Sequence, residues 1–180
     1  MKAQRIERYG FTARDGLLLD ANIWLFLYCP HGDPKAYGPA VYSAAFKSIL
    51  AAKSRIYVSS IILGEFIYRY CRLAHGLLLA KNAAPEDFKD FRRTAPFKQV
   101  AKAVSDAGRR VLKDARPIDD NFTAVDVMQI LADFEAGKQD FNDLLIREIC
   151  RRNNLTLVTD DEDFSAQGVP ILTANALLAN

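Results

Sequence analysis

Histidine and cysteine are scarce in this chain of 180 residues. There are two histidines, His31 and His75, and three cysteines, Cys29, Cys71 and Cys150. No CxxC pair occurs, so neither a zinc ribbon nor a disulfide framework is indicated. An odd number of widely separated thiols reads as free cysteines in a reducing compartment. No HExxH occurs, and a Ser-His-Asp arrangement would have only two histidines to draw on. Long apolar runs are missing too. The N-terminal "MKAQRIERYG" is basic and an apolar stretch follows, but Asp15, Asp20 and Asn22 interrupt it. Its clean part, Ile23 to Cys29, falls far short of the ~20 residues that span a bilayer. A soluble, cytoplasmic protein with no membrane segment is expected. Charge of one sign is lacking as well: the net charge is +2, which decides little about nucleic acid.

What is present is a core and an alternating pattern. Half of the residues are apolar and 26% are charged, enough to bury a real interior. "GLLLDA" (Gly16 to Ala21) is a short apolar run of the kind found in buried parallel strands. "NIWLFLYC" starts a short helix, and "PHGDPKAYGP" is a loop punctuated by Pro and Gly. "AVYSAAFKSILAAK" (Ala40 to Lys53) is helical. "RIYVSS" (Arg55 to Ser60) is a second strand, with a helix from Ile61 to about Ala80. Residues 82 to 115 are charged and amphipathic, one or two helices, and "RPIDD" has the makings of a short strand. Phe122 to Gly137 is a helix closed by glycine. Phe141 to Asn154 is another, followed by strand "LTLVT" and a last short strand "VPILT". Strands alternating with helices imply parallel pairing through crossover helices. The expectation is one α/β domain over residues 1–180, with about 4–5 parallel strands and a helical elaboration at about 72–116.

In open parallel sheets, ligands gather at the carboxyl ends of strands. Asp20 closes "LLLD". Asp160, Asp161, Glu162 and Asp163 follow "LTLVT". Glu65 lies one turn into the helix after "IYVSS". Asp140 and Asp143 open the helix that leads into "LTLVT", and reach the same edge only if the preceding element ends there. Each acid has a bland explanation. Asp140 can cap the helix with Asp143 as a first-turn charge. Asp143 with Arg147, and Glu65 with Arg69, are i,i+4 pairs worth about 0.3–0.5 kcal/mol. Asp20 and Glu65 are harder to dismiss, because their neighbours are apolar and burying a lone carboxylate is costly. Clustered carboxylates repel, by about 1 kcal/mol at 4 Å in water and about 4 at an effective dielectric of 20. A divalent cation relieves that repulsion, and oxygen-only ligands suit Mg²⁺ or Mn²⁺ rather than Zn²⁺. Such an ion activates water and stabilises charge on a phosphoryl oxygen. Phosphodiester hydrolysis therefore needs no histidine here. Arg69, Arg72, Arg92, Arg93, Arg109, Arg110, Lys113, Arg147, Arg151 and Arg152 are candidates for phosphate contacts. Tyr28 and Tyr37 are candidates for base stacking, whereas Trp24 reads more naturally as core. A phosphate-handling enzyme of the haloacid-dehalogenase type would want an aspartate two residues after Asp20, and Asn22 stands there.

These segments resemble the PIN-domain ribonucleases, a family that includes the toxins of VapBC toxin–antitoxin modules. "LLLDANIWL" resembles the opening strand, with its acid at Asp20 and a small polar partner at Asn22. "VSSIILGEFIYR" resembles the strand-to-helix segment, with its acid at Glu65. "DFNDLLIREICRRNNLTLVTDDEDF" resembles the closing segment, with acids at Asp143 and Asp161. The family tail, threonine, any residue, aspartate, any residue, aspartate, phenylalanine, corresponds to Thr159 through Phe164. The resemblance implies a three-layer α/β/α fold and a Mg²⁺- or Mn²⁺-dependent endoribonuclease, often a homodimer neutralised by an antitoxin. It implies metal binding by Asp20, Asp143 and Asp161, with Glu65 completing the quartet. Asp140 and Asp163 follow as supporting acids, Asn22 and Thr159 as hydrogen-bonding partners, and Arg69 and Arg147 as RNA contacts. Small toxins of the family are shorter, the excess here lying around residues 72–116. A housekeeping RNA-processing nuclease is the alternative role. Idle, merely binding members of the fold lose acids, and this chain keeps all four. Asp160 and Glu162, at the variable positions, read as solvated turn residues.

Overall fold

A computed structural model describes residues 3–30, 36–137, 139–164 and 168–179. His31 and most of the "GDPKAYG" loop lie outside the described residues. Six strands form one sheet in the order β1 (Gln4–Arg5), β6 (Ile171–Thr173), β5 (Thr156–Val158), β2 (Gly16–Leu19), β3 (Arg55–Val58), β4 (Arg116–Pro117). Every pairing is parallel. Among the described residues, seven α-helices make the crossovers: α1 (Ala21–Tyr28), α2 (Tyr37–Ala51), α3 (Ser60–Leu79), α4 (Phe88–Phe91), α5 (Ala95–Asp114), α6 (Val127–Glu135) and α7 (Phe141–Asn153).

The strand β2 is central because its sequence allows nothing else. Leu17, Leu18 and Leu19 are wholly buried, and a strand covered on both faces needs apolar side chains on both. Its register sets Leu18 between Tyr57 of β3 and Leu157 of β5. Gly16 starts it at a close approach: a Cβ there would stand 2.8 Å from Leu155 Cδ2.

The sheet has one strand more than the apolar runs suggest. The addition is β1, two polar residues that pair with β6 at the edge and carry no apolar pattern. At the opposite edge β4 contains Pro117, tolerated where no neighbour needs its missing N–H. The stretch 122–137 is not one helix. A 3₁₀ turn spans Phe122–Ala124, then α6 begins at Val127. Asp126 divides them, its carboxylate accepting from Gln129 N at 3.0 Å, and Gly137 follows α6 with φ +67°.

The middle helices pack into the main core. Val104, Ala107 and Val111 of α5 bury against the same cluster as Leu17, Trp24 and Phe66. His75 serves this packing. It is 5% exposed, stacks on Phe91 with centroids 4.7 Å apart, and its Nε2 donates to the Pro85 carbonyl at 2.8 Å. No helix among the described residues is long and apolar enough to cross a membrane.

One turn positions the acids of α7. Asn154 takes the left-handed conformation, φ 51°, and sends the chain straight into β5. The far end of α7 is thereby carried to the carboxyl edge of the sheet, where Asp20 and Asp161 also lie.

Candidate active site

Asp20 is the first residue past β2 and the N-cap of α1. A cap needs a side-chain acceptor near the first free N–H groups, and Asp20 Oδ1 accepts from Ala21 N at 2.6 Å. Its Oδ2 accepts from Asn22 Nδ2 at 2.8 Å and from the Thr159 hydroxyl at 2.7 Å. At 4% exposure it has little water. Burial pushes its carboxyl up to about 6; the Thr159 bond opposes this, while the charges of Glu65 and Asp161 add to it.

Thr159, wholly buried just past β5, is saturated. Its one proton goes to Asp20, and its oxygen accepts from Asn22 Nδ2 at 3.2 Å and Asp161 N at 3.1 Å. A hydroxyl offers one donor and two lone pairs, and all are used. Asn22 Oδ1 in turn accepts from Asp160 N at 3.3 Å. Asn22 and Thr159 thus tie the ends of β2 and β5 together.

The turn after β5 is fastened by residues that the motif reading passes over. Asp160 is not a solvated turn residue: it is half-buried and accepts from the Tyr42 hydroxyl at 2.7 Å. Its carboxyl is raised, by burial first, and its carbonyl accepts from Asn175 Nδ2 at 2.9 Å. The Tyr42 hydroxyl also accepts from Ala174 N at 2.8 Å, which joins the β5 turn to the end of β6. Glu162 is exposed. Asp161 Oδ1 accepts from Asp163 N at 3.1 Å, and the Asp163 carbonyl accepts from Gln139 Nε2 at 2.7 Å. That last bond joins the β5 turn to the start of α7.

Asp143 lies in the first turn of α7. Burial raises its carboxyl to about 7, and Asp20, Asp161, Asp140 and Glu65 all raise it further. Acids from four segments therefore feel one another's charge. Asp140 occupies the N-cap position of α7 yet makes no capping hydrogen bond, so the capping box expected of Asp140 and Asp143 does not form. Glu65 accepts from Arg69 at 3.1 Å, as their helical spacing suggests. Arg147 reaches across to Asp133 of α6 at 3.5 Å. Trp24 is fully buried and stacks on Tyr28 at 5.8 Å.

A polar cleft of about 480 Å³ collects these groups: Glu65, Arg69, Asp140, Asp143, Asp161 and Asp163 line it. Arg147 does not line it. Five carboxylates share this cleft without forming one closed shell, and the buried Asp20 does not line it. Among the described residues, no group of three or more Asp, Glu, His or Cys stands close enough to hold an ion as arranged. The chemistry of the donors still fits a hard divalent cation, because every one is a carboxylate oxygen and their mutual repulsion is what a cation offsets.

The sequence profile described as PIN domain matches residues 17–169. The chain belongs to the PIN domain family. PIN domains are generally nucleases and typically use divalent metal ions. The fold is similar to that in the crystal structure of VapBC2 from Rickettsia felis bound to a DNA fragment from their promoter. There the TM-score is 0.53 at 21% identity, over 87% of this chain and 96% of the other. It is also similar to PAE2754 from Pyrobaculum aerophilum, with a TM-score of 0.50 at 17% identity over 97% of this chain and 94% of the other. No curated protein matches the chain.

In this PIN domain, Thr159 is the residue that couples two acids. Thr159→Val is expected to cost about 1–3 kcal/mol in urea unfolding, since it leaves buried polar groups without partners. Thr159→Ser, which keeps the hydroxyl, should restore most of it. Equal stability of the valine variant and the parent would show that the hydroxyl holds nothing.

Proposed function

We propose that this PIN domain is a Mg²⁺- or Mn²⁺-dependent endoribonuclease. We take residues 1–180 as one domain, with 72–116 as its helical elaboration. What supports the proposal is a polar cleft lined by Glu65, Asp143 and Asp161 from three separate segments, with the buried Asp20 within reach of the charges of Glu65 and Asp161. Asp20 is buried within reach of like charges, a costly placement of the kind that functional sites favour.

Asp20, Asp143 and Asp161 would hold the ion. When bound, it lowers the pKa of a water and stabilises charge on a phosphoryl oxygen. The remaining roles belong to the chain itself. Thr159 and Asn22 fix Asp20 in one orientation through two donors, as supporting residues commonly do for metal-binding side chains. Glu65 orients the attacking water, itself held by Arg69. Asp140 and Asp163 add negative potential at the rim, and Arg69 faces the substrate phosphate. Arg147, drawn toward Asp133, contributes less to RNA binding than Arg69.

Purified protein is expected to cut RNA internally with Mg²⁺ or Mn²⁺ and to stop when EDTA is added. Cleavage that persists in EDTA would overturn the metal assignment, and its absence with either ion would overturn the ribonuclease reading. The activity fits the toxin of a type II toxin–antitoxin pair, working as a cytoplasmic homodimer silenced by a small antitoxin protein. Induced expression should then arrest growth, and co-expression of a small protein encoded beside it should relieve the arrest. Normal growth with an active enzyme would favour housekeeping RNA processing instead.

A further inference from the structure

Asp160 stands between Thr159 and Asp161, two residues of the candidate site, yet its side chain does not line the cleft. It is held instead at its N–H, its carboxylate and its carbonyl. The N–H donates to Asn22 Oδ1 at 3.3 Å, Oδ1 accepts from the Tyr42 hydroxyl at 2.7 Å, and the carbonyl accepts from Asn175 Nδ2 at 2.9 Å. These partners come from α1, α2 and the segment after β6. Asp161 has no such outside support. Among the described residues its N–H donates to Thr159 Oγ1 at 3.1 Å and its carboxylate accepts from Asp163 N at 3.1 Å, both within its own turn. The place of Asp161 is therefore set largely through the residue before it.

Tyr42 anchors this arrangement. Its side chain is fully buried, and its ring stacks on Phe26 with centroids 5.6 Å apart and planes 11° from parallel. A phenol has one proton to give. The Asp160 carboxylate at 2.7 Å and the Thr159 carbonyl at 3.1 Å compete for it, and the nearer, charged oxygen forms the stronger bond. Asn175 completes the tie. Its N–H donates to Thr173 Oγ1 at 3.0 Å and its Oδ1 accepts from Leu177 N at 2.9 Å, so the amide that reaches Asp160 is itself fixed. Filling the core needs the Tyr42 ring alone. The partners of its hydroxyl are the two turns at the carboxyl edge of the sheet, one after β5 and one after β6.

Placement of that kind matters for an ion. Among the described residues the acids do not form a closed ligand group, so affinity depends on how little each carboxylate must be moved or ordered on binding. Contacts that orient metal-binding side chains are commonly worth about 10–100-fold in affinity. We infer that Tyr42 is a positioning residue for the metal site: through Asp160 it fixes the turn that presents Asp161 to the cation. The inference rests on the metal reading proposed above.

Two variants test it without changing any charge. Tyr42→Phe removes the hydroxyl and keeps the ring. Asn175→Ala releases the Asp160 carbonyl at a part-buried position. Binding is read from the EPR signal of free Mn²⁺ as protein is added, with no RNA present. Tyr42→Phe should weaken Mn²⁺ binding about tenfold or more, and Asn175→Ala should act in the same direction. In cleavage assays the Tyr42→Phe deficit should be large at low Mg²⁺ and mostly regained at saturating Mg²⁺, with the KM for RNA unchanged there. Tyr9→Phe is the structural control. It loses a comparable bond, from the Tyr9 hydroxyl to Asp15 at 3.1 Å, at the opposite end of β2, and should lower the urea midpoint without altering Mn²⁺ affinity. If Tyr42→Phe and Asn175→Ala both bind Mn²⁺ as tightly as the parent while Asp161→Asn binds it weakly, the inference fails and the metal reading stands. If the parent itself binds no Mn²⁺, the metal reading fails and the inference falls with it. Should Tyr42→Phe not fold, Asn175→Ala decides alone, and parental affinity in that variant overturns the inference.

Discussion

Asp20→Asn is expected to lower RNA cleavage at least about a hundredfold while leaving the protein folded. Substitution of a mere supporting partner in a metal site typically costs 10–100-fold, and Asp20 is placed inside that shell. Asparagine keeps the shape, so its Oδ1 can still accept from Ala21 N, the bond that caps α1. What it removes is the charge and the acceptor oxygen to which Asn22 and Thr159 donate, an amide NH2 standing there instead. Asp161→Asn should lose activity to a similar degree, because Asp161 lines the cleft and adds to the field on both Asp20 and Asp143. Glu162→Gln is the control: its side chain is exposed and outside the cleft, and cleavage should stay within about twofold of the parent, as for surface changes far from a site. The rates are read as kcat/KM on one RNA at fixed Mg²⁺. Parental rates in Asp20→Asn and Asp161→Asn would remove both residues from the mechanism.

Such a ranking of the acids was largely legible in the sequence, since the chemistry needs carboxylates and the strands that deliver them are apolar runs. "GLLLD" and "LTLVT" put an acid just past a buried strand, and the structure keeps Asp20 and Asp161 there. The expectation for Asp140 and Asp143 depended on which end of the sheet α7 starts from. In a parallel sheet, a helix that feeds the next strand from its own C-terminus must begin at the carboxyl edge, and the left-handed Asn154 makes that turn.

The rest was not legible, for a physical reason. Tyr42 meets Thr159 and Asp160 from more than a hundred residues away, and Asn175 closes on Asp160 from a segment with no motif. Nothing in "AVYSAAF" distinguishes a tyrosine that fastens the turn after β5 from one that fills a core. Asp160 looked solvated because its neighbours in sequence are acids, whereas its neighbour in space is a phenol. Residues 122–137 read as one helix because the apolar spacing continues through the break. The break comes from a single side chain, Asp126, which caps α6 and restarts the backbone. The two-residue β1 exists only because β6 offers it an edge.

Between about pH 4 and pH 7, the metal-free protein is expected to lose stability as pH rises, and Mg²⁺ or Mn²⁺ should give it back. The folded state holds the Asp20 carboxyl near 6 and the Asp143 carboxyl near 7, against about 3.9 in an unfolded chain. Across that window the native state binds more protons than the unfolded state, so stability falls with rising pH. The buried Asp20 alone accounts for on the order of 2–3 kcal/mol. Below about pH 4 the slope reverses. Glu148, paired with Arg151 and Arg152 at 2.6 Å, is held down to about 2, and its contribution is lost as it protonates. Urea midpoints should therefore peak near pH 4–5. At pH 8 a cation at a hundred times its Kd adds about 2.7 kcal/mol, a rise in Tm of roughly 5–10 °C for a chain of this size. Asp20→Asn should flatten the decline between pH 4 and 6 and abolish the rise with metal. The metal effect is independent of any RNA, so it tests the acid site even where no substrate is known. A midpoint that climbs steadily from pH 4 to 8, or a Tm unmoved by either cation at millimolar concentration, would mean that these carboxylates do not form the charged, cation-seeking cluster assigned to them.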